Sequence, residues 1–138
     1  MNAKATWQGD MTFVGTTDSK YSVPMDAAQS AGGNDNGFRP TDLLRLGLAG
    51  CTGMDVISIL RKKRVEVSAF EVRVKTQSAP DHPHAFTHIE VEYVVTGKYI
   101  DRADVERAVQ LSEEKYCPAY AMFSKVAEMS HIITIIEA

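Results

Sequence analysis

The densest apolar stretch of the chain lies between residues 43 and 60, where apolar and glycine positions are interrupted only by Arg45, Thr52, Asp55 and Ser58. Pro40 directly follows Arg39, and the acidic residue Asp42 comes two positions later. This combination is a typical helix start, and the helical pattern continues to about residue 64. Such a helix would be roughly 35 Å long. Because nearly its whole circumference is apolar, we expect other structure to enclose it.

Alternation of hydrophobic and polar residues predicts strands on both sides of this helix. Two alternating runs, at residues 70–75 and 88–95, have the pattern of half-buried antiparallel strands. An isoleucine-rich run at residues 131–136 predicts a closing strand that is buried on both faces. The first quarter of the chain contains three short β-like runs, which predict a small antiparallel meander at residues 5–8, 11–14 and 21–23.

Cap and turn residues divide the remaining chain. Asp101 is the expected N-cap of a helix that extends through Tyr116, and Cys117-Pro118 ends it. Residues 119–127 predict a further short helix, and the glycine- and asparagine-rich tract at residues 31–37 predicts a flexible loop. The order of these elements favours an α+β fold in a single domain over residues 1–138.

The central helix also predicts the oligomeric state. The chain has 138 residues, of which 44% are hydrophobic. A monomer of this size has little structure with which to cover a helix that is apolar all round. We therefore expect a homodimer whose subunits cover each other's helices.

Charge and the N-terminal sequence exclude several classes of function. Fifteen basic and 18 acidic residues give a net charge of −3, so nucleic acid is not an expected partner. The short basic run at residues 61–64 suits the C-terminal end of a helix. The N-terminus lacks the apolar core of a signal peptide, and no unbroken apolar run is long enough for a membrane span. We expect a cytoplasmic protein, in which two distant cysteines are seldom a structural disulfide.

Cys51 lies in the middle of the predicted helix and has two possible roles. A free cysteine is often a buried, unreactive thiol. An apolar site raises a thiol pKa, and Asp55, one turn further on, would raise it again if it shared the same face. Reactivity would then require a nearby cation, for which Arg39, Arg45 and Lys115 are the candidates by residue type.

Cys117 lies where a helix ends at Pro118, a place that suits either a second reactive thiol or core packing. It follows Cys51 by 66 positions, so only the fold can bring the two sulfurs together. His82, His84 and His88 lack the cysteine or carboxylate partners of a tetrahedral metal site. The sequence predicts neither a metal nor a cofactor, and the fingerprints of hydrolases and nucleotide enzymes are absent.

Two motifs resemble the OsmC-like family of osmotically inducible and organic hydroperoxide resistance proteins. The first covers Arg-Pro-Thr-Asp-Leu-Leu at residues 39–44, Gly-Leu-Ala-Gly-Cys-Thr-Gly-Met-Asp-Val at 47–56 and Ser-Ile-Leu-Arg-Lys-Lys at 58–63. The second is Ser-Glu-Glu-Lys-Tyr-Cys-Pro at 112–118, followed by Met122 and Ser124-Lys125. The Gly-Cys-Thr sequence at the first cysteine is similar to one subgroup of the family.

The resemblance implies an α+β intertwined homodimer, with long central cysteine-bearing helices enclosed by antiparallel sheets. It implies a thiol peroxidase in oxidative stress defence, in which Cys51 attacks a small hydrophobic hydroperoxide and Cys117 resolves the sulfenic acid to a disulfide. A dithiol reductant would restore the thiols. Peroxidase members hold the thiolate with an arginine and a glutamate. Here Thr41 occupies the glutamate position, so Asp42 is the candidate carboxylate and Arg39 the candidate arginine.

Two functions follow. One is a cysteine peroxidase for organic or fatty-acid hydroperoxides, with an apolar pocket that includes Leu48, Met54 and Phe123. The other is a non-catalytic protein that holds a small hydrophobic ligand in the same cavity or acts as a thiol redox sensor. The two cysteines favour the peroxidase, and the lack of an arginine in residues 15–21 favours the binding protein.

Overall fold

The computed structural model describes residues 1–138, and backbone contacts group them into two units, Met1–Leu44 and Arg45–Ala138. Six strands form two three-stranded sheets, and three α-helices accompany them. This mixture confirms the predicted α+β class. The organisation of residues 1–138 as a single domain stays a prediction.

The first unit begins with an antiparallel sheet of three consecutive strands, which confirms the predicted meander. The strands are β1 (Ala3–Trp7), β2 (Phe13–Thr17) and β3 (Ser22–Met25). Their bounds differ from the predicted ones by a few residues, because β1 is exposed along its whole length and has no buried face to fix an alternating pattern.

The loop after β3 is folded around Asp26, and the tract predicted to be flexible is part of it. The Asp26 side chain is only 2% exposed. Its carboxylate accepts hydrogen bonds from the Thr12 hydroxyl at 3.1 Å and from the backbone N–H groups of Ala27 at 2.7 Å, Asn34 at 3.2 Å and Asn36 at 3.1 Å. The glycine- and asparagine-rich composition therefore serves close backbone packing around one carboxylate.

Two features show how closely this loop is packed. A side chain at Gly33 would collide with the carbonyl of Ala27, so the position requires glycine. Burial acts to raise the pKa of the Asp26 carboxyl, but the four hydrogen bonds lower the pKa below its usual value. The ionised form of Asp26 is therefore the form that the loop stabilises.

The long helix α1 spans Pro40–Lys62 and confirms the predicted central helix. Four side chains spaced four residues apart are buried, and they are Leu48, Thr52, Val56 and Leu60. Leu44, Leu46 and Met54 are 50%, 52% and 75% exposed. The chain thus covers one stripe of the helix and leaves other apolar positions uncovered, so the expected enclosure is only partly achieved within this chain.

By length and mean hydropathy, 1.5 over its most apolar window, α1 also meets the criteria of a membrane span. The core helix of a soluble protein meets the same criteria, so one such helix is weak evidence for a membrane. Arg45 and Asp55 both lie within the helix, where charged groups disfavour burial in lipid.

The second unit is built on a sheet whose central strand is β5. The strand β4 (Glu66–Ser78) pairs with β5 (Phe86–Lys98) in antiparallel register, as predicted. Side chains of β5 form much of the hydrophobic core, and the buried ones include Ile89, Val91, Tyr93 and Val95. This core is shared with the buried stripe of α1 and with the helix that follows the sheet.

The last strand, β6 (Glu128–Glu137), pairs with β5 in parallel, so this sheet is mixed. The prediction that the strand is buried on both faces is wrong. β6 lies at the edge of the sheet, where Ile133 is buried but Ile132 and Ile136 are 43% and 46% exposed. An isoleucine-rich run cannot by itself distinguish a central strand from an edge strand with one uncovered apolar face.

Asp101 caps the helix α2 (Arg102–Leu111), since its carboxylate accepts from the backbone N–H of Ala103 at 3.0 Å. The helix continues as a π-helical turn over Ser112–Tyr116, and the chain then leaves helical geometry at Cys117. The short helix α3 covers Pro118–Phe123, fewer residues than predicted. The π-helical turn matters for function because it sets the position of the second cysteine.

Candidate active site

The two cysteines lie side by side in the second unit, although 66 positions separate them in sequence. Both are free thiols, and their Sγ atoms are 2.7 Å apart. A disulfide bond is about 2.05 Å long, so the sulfurs need to move by less than ~1 Å to form one.

The π-helical turn explains why Cys117 reaches this position. The turn ends with the Cys117 N–H donating to the Ser112 carbonyl at 2.8 Å, and Pro118 then prevents the same helix from continuing. Cys117 becomes the N-cap of α3, where its sulfur accepts from the backbone N–H of Tyr120 at 3.3 Å. The side chain is thereby fixed towards α1.

The two thiols differ in burial. Cys51 is partly exposed, whereas Cys117 is only 3% exposed. Burial, followed by the hydrogen bond to Cys51, raises the pKa of the Cys117 thiol. Cys117 is therefore held as a neutral thiol that donates to the Cys51 sulfur. This asymmetry suits Cys51 to attack a substrate and Cys117 to react with the product.

Asp55 shares the face of α1 that carries Cys51, one turn further on, as the four-residue spacing suggests. Its Oδ2 accepts from the hydroxyl of the fully buried Ser112 at 2.9 Å. The two sulfurs and a carboxylate oxygen of Asp55 all lie within 4.8 Å of one another.

Glu113, in the π-helical turn that precedes Cys117, is the centre of a second polar cluster. Its side chain is 10% exposed, and its two oxygens contact the hydroxyl of Tyr93 at 3.1 Å and Nδ1 of His131 at 3.0 Å. Burial, and then the charge of Glu113, raises the pKa values of Tyr93 and Tyr120. Both phenols consequently stay protonated, and the Tyr93 hydroxyl donates to the carboxylate.

Sequence reasoning missed the Glu113 cluster because its members come from β5, the π-helical turn, α3 and β6. A buried tyrosine opposite an acidic residue has no sequence signal at such separations. Ser112 was recognised only as part of the second family motif, and its bond to Asp55 was not anticipated.

The candidate activating residues Arg39 and Asp42 lie in the first unit, at the start of α1. Asp42 accepts from the backbone N–H of Arg39 at 3.1 Å, which is one half of a capping box. The Arg39 guanidinium contacts Asp35 at 2.8 Å and the Gly37 carbonyl at 3.3 Å. Their predicted role at the thiol stays a prediction.

The other two cations named from the sequence lie in the second unit. The Arg45 Nε donates to the Thr76 hydroxyl at 2.8 Å, and the guanidinium lies 5.0 Å from the centre of the Phe86 ring. The ammonium of the exposed Lys115 lies 5.3 Å from the ring of its neighbour Tyr116. Lys115 therefore packs on the surface of the π-helical turn.

The three residues expected to line one apolar pocket have different environments. Leu48 is 1% exposed and belongs to the core, whereas Met54 is 75% exposed. Phe123 packs against Phe86, with ring centres 6.1 Å apart. Within this chain Leu48 and Met54 differ in burial, because positions 48 and 54 lie on different faces of α1.

Comparisons with known proteins agree with the two cysteine motifs. A family model described as "OsmC-like protein" matches residues 32–131. The chain is 33% identical to Protein YhfA of Escherichia coli over 138 residues, which is 100% of both chains.

Two solved structures have a similar fold. A hypothetical protein from Aquifex aeolicus is 26% identical with a TM-score of 0.86, over 99% of this chain and 96% of that one. The organic hydroperoxide resistance protein OhrB of Bacillus subtilis is 23% identical with a TM-score of 0.64, over 96% of this chain and 98% of that one.

Proposed function

The chain belongs to the OsmC-like protein family, and from this premise we propose that it is a thiol-dependent peroxidase for organic hydroperoxides. Family membership indicates a peroxide-related stress function. The observation that carries the finer proposal is the pair of free sulfurs 2.7 Å apart, one partly exposed and the other buried. The name of the similar Bacillus subtilis protein supports organic hydroperoxides as the substrate class.

In the first step, Cys51 attacks the peroxide because it is the more accessible thiol. The Cys51 thiol loses its proton, and its sulfur forms a bond to one peroxide oxygen while the O–O bond breaks. The remaining alkoxide takes up the proton and leaves as an alcohol. Cys51 is oxidised by two electrons to a sulfenic acid.

In the second step, Cys117 resolves the sulfenic acid. The sulfur of Cys117 attacks that of Cys51, the S–O bond breaks, and hydroxide leaves with the Cys117 proton as water. The short distance between the sulfurs supports this step, since neither helix has to unfold. It also protects Cys51 from further oxidation by consuming the sulfenic acid at once.

A dithiol reductant completes the cycle. It attacks the Cys51–Cys117 disulfide through a mixed disulfide, becomes a disulfide itself and returns both cysteines to thiols. Such a cycle requires a compartment that keeps dithiols reduced, and we place the protein in the cytoplasm for that reason.

The active form that we propose is a homodimer. The exposed apolar side chains of α1 and β6 support it, because single soluble chains seldom leave so many large apolar groups uncovered. Leu46→Glu together with Met54→Glu should convert the dimer to a monomer in sedimentation experiments. The exposed-site variant Glu114→Gln should leave the sedimentation coefficient unchanged.

Rapid-mixing measurements with cumene hydroperoxide and hydrogen peroxide test the peroxidase proposal. Wild-type protein should consume the organic substrate faster than hydrogen peroxide and far faster than a free thiol does. Cys51→Ser should abolish consumption. Cys117→Ser should retain the first turnover but accumulate sulfenic acid, detected by trapping and mass spectrometry. Glu114→Gln should behave as the wild type.

Several outcomes would overturn parts of the proposal. Oxidation no faster than that of a free thiol would favour the non-catalytic alternative, a ligand-binding protein or redox sensor. Fast oxidation without a Cys51–Cys117 disulfide would remove the resolving role. Arg39→Gln and Asp42→Asn should slow the first step and leave disulfide formation unchanged if the resemblance assigns these residues correctly.

A further inference from the structure

Three potential metal-ligand atoms converge at the cysteine pair. They are the sulfurs of Cys51 and Cys117 and a carboxylate oxygen of Asp55, all within 4.8 Å of one another. Two come from successive turns of α1, and the third comes from the capped end of the π-helical turn. Regular secondary structure and a cap therefore define all three positions.

From this arrangement we propose that the reduced protein binds one thiophilic divalent cation of the zinc type through Cys51, Cys117 and Asp55. Two thiolates and one carboxylate are a ligand set that zinc accepts, with a fourth position left for water. Tetrahedral zinc with Zn–S bonds of about 2.3 Å places its sulfurs about 3.8 Å apart. The sulfurs, now 2.7 Å apart, would separate by roughly 1 Å.

Neighbouring groups already orient two of the three ligands. The Ser112 hydroxyl donates to Oδ2 of Asp55 at 2.9 Å, which leaves the other carboxylate oxygen available to the cation. The backbone N–H of Tyr120 donates to the Cys117 sulfur at 3.3 Å and stabilises its thiolate. Such outer contacts fix ligand orientation and commonly raise metal affinity about 10- to 100-fold.

The chemistry of the three groups suits a cation. Their ligand atoms lie within 4.8 Å of one another, so one ion can contact all three. A divalent cation binds two thiols and a carboxylate in their anionic forms. Binding would displace one proton from each thiol into the solvent.

Asp55 also borders a cavity. The cavity has a volume of about 310 Å³ and is lined by Asp55, Ser58, Ile59, Lys62, Leu111 and Tyr116. This volume is large enough for a hydrated ion.

The inference goes beyond the proposed function and has a consequence for it. A cation that holds both thiolates prevents attack on a peroxide and formation of the disulfide, so bound metal and turnover would exclude each other. Zinc binding itself requires only reduced thiols. The test therefore uses reduced protein without peroxide, and its outcome does not depend on whether the peroxidase proposal is correct.

Zn²⁺ and Co²⁺ are the probes. Reduced full-length protein should bind one equivalent of Zn²⁺ in competition with a chromophoric chelator. Co²⁺ should produce a thiolate-to-metal charge-transfer band and the visible bands of a tetrahedral site. Protein oxidised to the disulfide should show neither, and Mg²⁺ and Ca²⁺ should not compete.

Variants distinguish a three-ligand site from a simple dithiol. Asp55→Asn should weaken Zn²⁺ binding by more than about 10-fold and change the Co²⁺ spectrum, while Asp55→His should restore a tetrahedral spectrum. Glu114→Gln, which changes an exposed carboxylate of the π-helical turn before Cys117, should have no effect. Equal Zn²⁺ affinity in Asp55→Asn and Glu114→Gln would overturn the proposal. Absence of Co²⁺ charge transfer in the reduced wild type would also overturn it.

Discussion

Asp26 in the first unit and Asp55 in the second are held in different ways. Asp26 accepts four hydrogen bonds, three of them from backbone amides of its own loop, and these lower the pKa of its carboxyl. Asp55 accepts one from a side chain, the Ser112 hydroxyl, and lies beside two thiols. A carboxylate whose acceptor positions are filled by backbone stabilises a loop, whereas one held by a single hydroxyl keeps an oxygen for chemistry.

The largest effect on stability is expected at Asp26. Asp26→Asn replaces one acceptor oxygen with an amide group that faces backbone N–H donors, so at least one of these backbone amides loses its partner. We expect the Tm to fall by about 5 °C or more, while Asp55→Asn changes it much less. Thermal melts followed by circular dichroism measure both, with the exposed Asp18→Asn as the control.

The pH dependence of the Tm difference between wild type and Asp26→Asn provides a second check on the role of the Asp26 charge. Because the folded-state pKa of Asp26 is lowered, its contribution to stability is present above the unfolded value of 3.8 and is lost as the pH falls towards the folded value. The difference in Tm between wild type and Asp26→Asn should therefore shrink below about pH 3.8. A difference that stays constant down to pH 2 would show that the loop does not depend on the charge.

Elements with a local pattern could be predicted from the sequence, and contacts between distant elements could not. The helix start before α1 and the Asp101 cap of α2 each depend on a few adjacent residues, and both are confirmed. The loop around Asp26 depends on amides up to ten positions away, and its composition alone resembled a flexible segment. The parallel pairing of β6 with β5 also has no local signal.

In the candidate active site, too, contacts between distant elements could not be predicted from the sequence. The residues themselves identified both cysteines as candidates and located Asp55 one turn after Cys51 without showing that it shares the same face, while only the family resemblance paired Cys117 with Cys51. Their 2.7 Å approach required the π-helical turn, which no residue pattern indicated. Glu113 was part of a recognised motif, yet its contacts to Tyr93 and His131 bring together three separate elements.

Tyr93→Phe tests whether Glu113, like Asp55, is a carboxylate held by hydrogen bonds from side chains. It removes a donor from a largely buried carboxylate, so we expect a loss of about 1–2 kcal/mol in the free energy of unfolding, measured with urea at neutral pH. Tyr99→Phe, at an exposed site, should have no effect. An equal loss in both variants would contradict the role of the cluster.

Alkaline conditions sharpen this prediction. The folded-state pKa of Tyr93 is raised, so the stability it contributes is fully present below the unfolded value of 10.0 and is lost as the pH rises above it. The stability advantage of the wild type over Tyr93→Phe should decrease above about pH 10.

Ser112→Ala tests the single hydroxyl that holds Asp55. We expect a loss of about 1 kcal/mol in the free energy of unfolding, together with Zn²⁺ binding weakened by about 10-fold. Thr134→Val is the matched control, since it removes another hydroxyl-to-carboxylate bond, to Glu92 at 3.0 Å, away from the cysteines. The control should lose stability without losing Zn²⁺ affinity.

The smallest effect on stability is expected at His131, whose partly exposed ring contacts Glu113. His131 is 41% exposed and contacts Glu113 at 3.0 Å, and His88 contacts Glu128 at 2.9 Å with both side chains largely exposed. The pairs have nearly the same length and differ in the burial of the carboxylate, 10% exposed against 77%. Because solvent screens the second pair, His131→Ala should cost about 0.5 kcal/mol and His88→Ala close to nothing in urea unfolding. Equal costs would mean that the hydrogen bond from Tyr93 is sufficient to hold Glu113, and the cluster would then consist of Glu113 and Tyr93.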